Sequence, residues 1–236
     1  MSRLVDLNCD VGEGARDERL MPNLTSVSIA CGGHAGDAES MHASLRAAVR
    51  NGLLAGAHPG YPDREGFGRR EVVLPSVDLF MTVVSQLEAL GLVAMQQEAD
   101  LTHVKTHGAL YNRAWTDPES ADTVARAVIA WSPVVALFCP PGSAQEAAAV
   151  RLGLPVIREA FADRRYGPDG ALLPRSEPGA LVTDPADLKA QLSSIAGLEF
   201  DTLCVHSDNP AAAELVAALP GLLDELGWEL APYPLP

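Results

Sequence analysis

The chain has 236 residues, 31 acidic against 17 basic, for a formal net charge of −14 at pH 7. That excess repels nucleic acid and anionic membrane surfaces and argues against both as partners. With 47% apolar and 20% charged residues, no low-complexity tract and no internal repeat, the composition suits one globular domain over residues 1–236.

Alternation predicts a first strand over Leu4–Asp10, with Asp6, Asn8 and Asp10 on one face and Leu7 and Cys9 on the other. A glycine-rich turn carrying Glu13 follows. Ser26–Cys31 reads as a second strand, and a glycine turn with His34 leads into a helix over Asp37–Asn51 that Asp37 can cap. Leu54–His58 is a third strand. The Gly/Pro-rich loop after it holds Arg64, Arg69 and Arg70 and precedes a helix over Ser76–Met95. Leu101–His107 is the fourth strand, putting His103, Lys105 and His107 on one face. Then come a helix over Pro118–Ala130, a strand over Val134–Cys139, a helix over Ser143–Leu152 and a strand over Val156–Phe161 that includes Glu159. Leu172–Val182 is an excursion, read as a small hairpin. Pro185–Ile195 is helical, Thr202–His206 is the seventh strand, and Pro210–Leu226 is the last helix. Asp117, Asp184 and Asn209 each stand before a proline as N-caps; Gly52, Gly91, Gly153 and Gly227 follow helical runs as C-caps.

Sustained strand–helix alternation gives a parallel sheet. A TIM-like (β/α)7 barrel is favoured over an open doubly wound sheet, because polar groups end nearly every strand, whereas an open sheet gathers its site at one switch point. Cys9, Cys31, Cys139 and Cys204 sit in apolar runs without a Cys-x-x-Cys pair, which reads as buried, reduced thiols, and nothing nearby activates Cys31. The first strand begins almost at the initiator Met, leaving no room for a signal peptide, and no apolar run approaches a membrane span. These features point to the cytoplasm.

Only two lysines occur, Lys105 and Lys189, so Lys105 is not one of many solubilising charges. Placed between two histidines on a buried face, it is either used chemically or is a polar cluster satisfied by carboxylates. Asp10, His34, His58 and His107 could converge at one barrel mouth, which leaves a His/carboxylate metal site open. Glu159 and the charged run Asp163–Tyr166 belong to the same rim, as do His206 and Asp208. There is no Walker-type loop, dinucleotide fingerprint, Gly-x-Ser-x-Gly elbow or His-Glu-x-x-His.

Residues 6–14 (DLNCDVGEG), 29–37 (IACGGHAGD), 56–63 (GAHPGYPD), 66–70 (GFGRR), 103–112 (HVKTHGALYN), 161–164 (FADR) and 204–210 (CVHSDNP) resemble the LamB/YcsF family, which supplies the A subunit of a bacterial ATP-dependent 5-oxoprolinase. Gly33, Thr106 and Ser207 stand where that family usually has Phe, Pro and Gly. The resemblance implies a barrel related to the glycoside hydrolase/deacetylase barrels. It also implies ring opening of 5-oxo-L-proline to L-glutamate, with ATP and Mg2+ as co-substrate of a complex with partner subunits B and C, and it leaves room for self-association. The chemistry of that reaction suggests roles. Lys105, held by Asp10 or Glu13, would face the lactam oxygen or a phosphate. His107 or Glu159 would be the base, and His34 would orient substrate or serve as the acid. Arg64, Arg69 or Arg164 would hold the substrate carboxylate, with Asn8, His58, His206 and Asp208 as further substrate contacts. The rival readings are a metal-dependent amidohydrolase or carbohydrate deacetylase, and a non-catalytic subunit that only presents the lactam.

Overall fold

A computed structural model describes residues 3–14, 17–168 and 170–234. In chain order the elements are β1 (Arg3–Val11), two 3-10 turns (Asp17–Arg19 and Met21–Asn23), β2 (Ser26–Ala30), α1 (Ala38–Arg50), β3 (Leu54–His58), α2 (Ser76–Gln96), β4 (His103–Val104), α3 (Gly108–Thr116), α4 (Pro118–Trp131), β5 (Ala136–Cys139), α5 (Ala144–Leu152), β6 (Val156–Phe161), α6 (Pro185–Ile195), β7 (Thr202–Cys204), α7 (Ala212–Glu225) and β8 (Trp228–Leu230). Strands β1 to β7 pair in parallel in sequence order, and β1 closes the ring between β7 and β2. This is the closed α/β barrel that the polar strand ends predict.

Period-two alternation decides what faces where. Outward residues such as Leu7, Cys9, Val27, Ile29, Ala57, Val104 and Leu203 pack into one apolar layer beneath the helices. Inward residues are largely polar, so the barrel's interior is a hydrogen-bonded column. Near its floor, Asp6 accepts hydroxyl hydrogens from Thr25, Ser26 and Thr202. His103 bridges Ser28 Oγ (3.0 Å) and the Tyr233 hydroxyl (2.8 Å), and its ring stacks on Phe138 at 4.1 Å. Burial, with Lys105 nearby, pushes His103 down to about 3, so it is a neutral structural imidazole at pH 7. His103 therefore shares a face with Lys105 and His107 but lies in a lower layer. Gly56, opposite it on β3, leaves the space its ring fills; a Cβ there would collide with the imidazole.

Several expectations change. The fourth strand is shorter than Leu101–His107, although Lys105 N and His107 N still donate to Ala57 O (2.9 Å) and Pro59 O (2.8 Å) and keep the run extended. Helix α3 and strand β8 were not expected. Helix α3 is only nine residues long and ends at Asp117, which also caps α4. Strand β8 is three residues, too short to show a period. Val5 O accepts from Ala231 N while Leu7 O accepts from Thr25 N, so β8 runs along the β2 side of β1, beneath β2. Gly91 is no cap; it lies inside α2, where a Cβ would stand 3.3 Å from the Trp131 ring of α4, so its absence eases the helix packing. Helix α7 starts later than Pro210, at Ala212, but Asn209 holds the turn before it as a cap would: its Oδ1 accepts from Ala211 N (3.0 Å), while its amide nitrogen donates to Asp163 and to Val182 O. Helix α2 is, by length and a mean hydropathy of 1.5, apolar enough to cross a membrane, against the expectation of no such run. Here it lies along the barrel, burying Leu79, Val83, Leu87 and Leu90. Asp37 forms the expected capping box with Ser40.

The floor is testable. Tyr233→Phe should cost about 1 kcal/mol by stranding Thr102 and His103 partners. Gly56→Ala should cost about 1–3 kcal/mol by displacing the His103 ring. Urea midpoints by circular dichroism measure both.

Candidate active site

Strand β4's extended continuation carries Lys105 into the barrel's upper half, where it is 2% exposed. Its ammonium lies 2.9 Å from Asp10 Oδ1, 2.8 Å from Glu159 Oε1, 3.2 Å from Asn8 Oδ1 and 3.0 Å from Cys204 Sγ. Burial alone would discharge it, but the Asp10 and Glu159 carboxylates outweigh burial and hold its pKa well above the ordinary value. Asn8 completes the seat, donating to Glu159 Oε1 (3.0 Å) and Thr202 Oγ1 (2.8 Å). Thus β1, β4, β6 and β7 all contribute to fixing one cation.

Above it opens a cavity of about 490 Å³. Lys105, Asp10, His58 and His107 form its base, and Tyr111, Trp115, Phe161 and Leu172 give it apolar walls. The excursion after β6 folds back by antiparallel bridges Arg164–Leu181 and Tyr166–Leu172, bringing Leu173 and Arg175 over the cavity. Among the described residues, three guanidinium groups border it: Arg69, Arg164 and Arg175. Arg69 and Arg175 share Asp208. Arg164 is 7% exposed, donates from Nη2 to Leu173 O (2.6 Å), and has a buried Nε without a hydrogen-bond partner among the described residues. Burial, with Arg175 close by, lowers it to about 10. A buried guanidinium with an idle N–H, next to others of like charge, is suited to an anionic ligand.

His206, at the end of β7, also borders the cavity. Its Nδ1 lies 2.9 Å from Asp163 Oδ1, and its ring stacks on Phe161. Since the fully buried Asp163 also accepts from His206 N and Asn209 Nδ2, Nδ1 carries the proton and Nε2 is left as a base.

Beside Asp10 is a second cluster. Glu13 Oε1 lies 2.6 Å from His34 Nε2, 3.2 Å from His107 Nδ1 and 3.6 Å from His58 Nε2. His58 Nε2 is 2.9 Å from His107 Nδ1 and 3.4 Å from Asp10 Oδ2. Burial opposes ionisation of Glu13, but the imidazoles of His107 and His34 that face it hold its carboxyl well below the usual range. Burial lowers both His34 and His58. Gly60 and Gly68 let the loop after β3 close on these rings, where a Cβ would press on His34 and His107. Glu13, His34, His58 and His107 together offer donor atoms close enough to share a metal ion.

The structure thus brings Asp10, Glu13, His34, His58, Lys105, His107, Glu159, Arg69, Arg164 and His206 to one barrel end. Asn8 and Glu159 lie under the ammonium rather than on the cavity surface. Arg64 does not reach the cavity: its guanidinium is turned to the carbonyls of Gly32 and Gly36 at the start of α1. Asp208 reaches the rim only through its two arginines. Asp163 and Arg175 were not singled out. Asp163 stood in the recognised 161–164 run, whereas Arg175 lay in an irregular segment with no periodic signal. Cys31 is buried and pushed up to about 12, which leaves it inert at neutral pH. All four cysteines are buried and free. Gln86 occupies the space over Gly33, hydrogen-bonding Gly60 N and O, so this chain has no room for the family's phenylalanine there.

Comparison with known proteins matches residues 5–235 to the LamB/YcsF family. A relative from Symbiobacterium thermophilum, named as the A subunit of 5-oxoprolinase, is 41% identical, the match covering 95% of this chain and 94% of the relative. The crystal structure of a lactam utilization protein from Thermus thermophilus superposes with a TM-score of 0.89 at 36% identity, covering 97% of this chain and 99% of that one. The catalytic domain of a peptidoglycan N-acetylglucosamine deacetylase from Eubacterium rectale shares the fold, with a TM-score of 0.57 at 9% identity over 99% of this chain and 90% of that one.

The Asp163 seat has a pH signature. Burial opposes its ionisation, but His206 and the hydrogen bonds of His206 and Asn209 win, lowering its pKa. A carboxyl depressed on folding stabilises above its unfolded pKa and loses that contribution as pH falls through the folded value. Asp163→Asn should therefore cost about 1–3 kcal/mol at neutral pH. The difference from wild type should shrink below about pH 4. Urea unfolding across that range measures it.

Proposed function

Because the chain belongs to the LamB/YcsF family, we propose that it is the A subunit of an ATP-dependent 5-oxoprolinase that hydrolyses 5-oxo-L-proline to L-glutamate. One observation carries the reading: a permanently charged ammonium at the base of a cavity bordered by three arginines, in a protein of net charge −14. A small anionic lactam needs such a local positive site. Lys105 faces the lactam oxygen and stabilises charge that develops there. Arg164, with its idle Nε, holds the ring carboxylate. His206 takes a proton from the attacking water and returns it to the departing ring nitrogen, with Asp163 fixing its tautomer. Glu159 is engaged by Lys105 and Asn8, which favours His206 over it as the base.

An unstrained amide resists water; phosphorylation of its oxygen by ATP with Mg2+ would give a better electrophile. The absence of a Walker-type loop from this sequence supports assigning the nucleotide to subunits B and C. ATP use and reduced thiols both suit the cytoplasm. A metal-dependent amidohydrolase is the second reading, favoured by the convergence of Glu13, His58 and His107.

Reconstitution with subunits B and C, ATP and 5-oxoproline should yield glutamate, and leaving out any component should abolish it. Lys105→Gln should lower kcat on the order of 10²–10³-fold. Arg164→Gln should act mainly on KM. ATP-independent glutamate release by the lone chain would replace this reading with the second.

A further inference from the structure

The imidazoles of His58 and His107 meet at 2.9 Å, Nε2 to Nδ1, with their planes at 89°. Each ring's other nitrogen is committed to a main-chain carbonyl: His58 Nδ1 to Lys105 O (2.8 Å) and His107 Nε2 to Phe67 O (2.9 Å). A carbonyl only accepts, so those nitrogens carry the hydrogens. The two nitrogens that face each other are therefore both bare in the neutral rings. Two lone pairs at that distance repel unless something positive lies between them. Glu13 Oε1 points at the same spot, 3.2 Å from His107 Nδ1 and 3.6 Å from His58 Nε2.

We propose that His58 Nε2, His107 Nδ1 and Glu13 Oε1 bind one divalent first-row transition-metal ion, of the Zn2+ or Co2+ kind, at the base of the cavity. Metal–nitrogen and metal–oxygen bonds of about 2.0–2.1 Å in a tetrahedral set place donor atoms about 3.3 Å apart. The three observed separations, 2.9, 3.2 and 3.6 Å, bracket that spacing. The carbonyl partners do what such partners do for metal-bound histidines: they fix the tautomer and aim the lone pair. Asp10 Oδ2, 3.4 Å from His58 Nε2, closes one side, while its Oδ1 holds Lys105. His58 and His107 border the cavity, so the open position faces it.

His34 is not a ligand in this arrangement. Its ring is stacked on His107, centroids 3.5 Å apart and planes 5° from parallel. Two imidazoles lying face to face cannot both aim in-plane lone pairs at one ion. His34 Nε2 instead donates to Glu13 Oε1 at 2.6 Å and orients that carboxylate. The site stands whichever reaction the complex performs.

The test uses the full-length chain, stripped with chelator and titrated with Zn2+ and Co2+. About one equivalent per chain should bind, Co2+ should develop visible ligand-field absorption, and Zn2+ should raise Tm. His58→Ala and His107→Ala should each weaken binding more than about 100-fold, and His34→Ala should weaken it about 10–100-fold while keeping the Co2+ band. His42→Ala, on α1 beside Gln97, should change nothing. Circular dichroism checks the fold of each variant. Failure of the wild-type chain to bind, or binding that survives the double variant His58→Ala/His107→Ala, overturns the proposal, the former assigning a shared proton to the pair. None of these readouts involves lactam turnover, so the metal site and the oxoprolinase reading fail separately.

Discussion

The ammonium of Lys105 is the constraint around which the upper barrel is organised. Taking it out of water costs several kcal/mol unless its partners are in place. Those partners, Asp10, Glu159, Asn8 and Cys204, come from β1, β6 and β7. The barrel must therefore close correctly for the charge to be tolerated. Removing Lys105 would leave two buried carboxylates uncompensated, whereas replacing the whole set by apolar residues would remove the cost altogether. An ion pair this deep is weak support for stability.

This division runs through the whole molecule. The sheet's outer face is apolar and packs under the helices; its inner face is a polar column from Asp6 at the floor to Glu13 at the mouth. Tyr233 and Phe138 supply an apolar stop low in that column. Against a net charge of −14, the cavity gathers Lys105, Arg69, Arg164 and Arg175, and so offers an anion a local positive site.

Much of this was legible in the residues. The alternation Asp6–Asn8–Asp10 and His103–Lys105–His107 marked polar inner faces, and the strands around them followed. Asp37, Asp117, Ser143 and Asp184 cap the helices whose starts they marked. What was illegible had physical causes. Alternation says which face a side chain takes but not its height, so His103 looked equivalent to Lys105 although it is bound to Tyr233 at the floor. Arg64 and Arg69 share one loop, and no pattern distinguishes the one turned to Gly32 and Gly36 from the one on the cavity. Arg175 arrives on an irregular segment whose path only the bridges at Arg164 and Tyr166 define. Asn209 stood before a proline like the other caps, and its Oδ1 does accept from Ala211 N, but the helix begins only at Ala212, and nothing in the sequence marked the bonds of its amide nitrogen to Asp163 and Val182.

The position of β1 has a consequence for biosynthesis. Its edges are covered by β2 on one side, with β8 below, and by β7 on the other; Asp6 pairs with Thr202 and Arg3 with Trp228. Strand β1 thus emerges from the ribosome long before β7 and β8, two of its three partners, have been made. During that interval a nascent chain carries an unpaired edge with alternating apolar side chains, the kind of surface that seeds misassembly and that holdase chaperones shield.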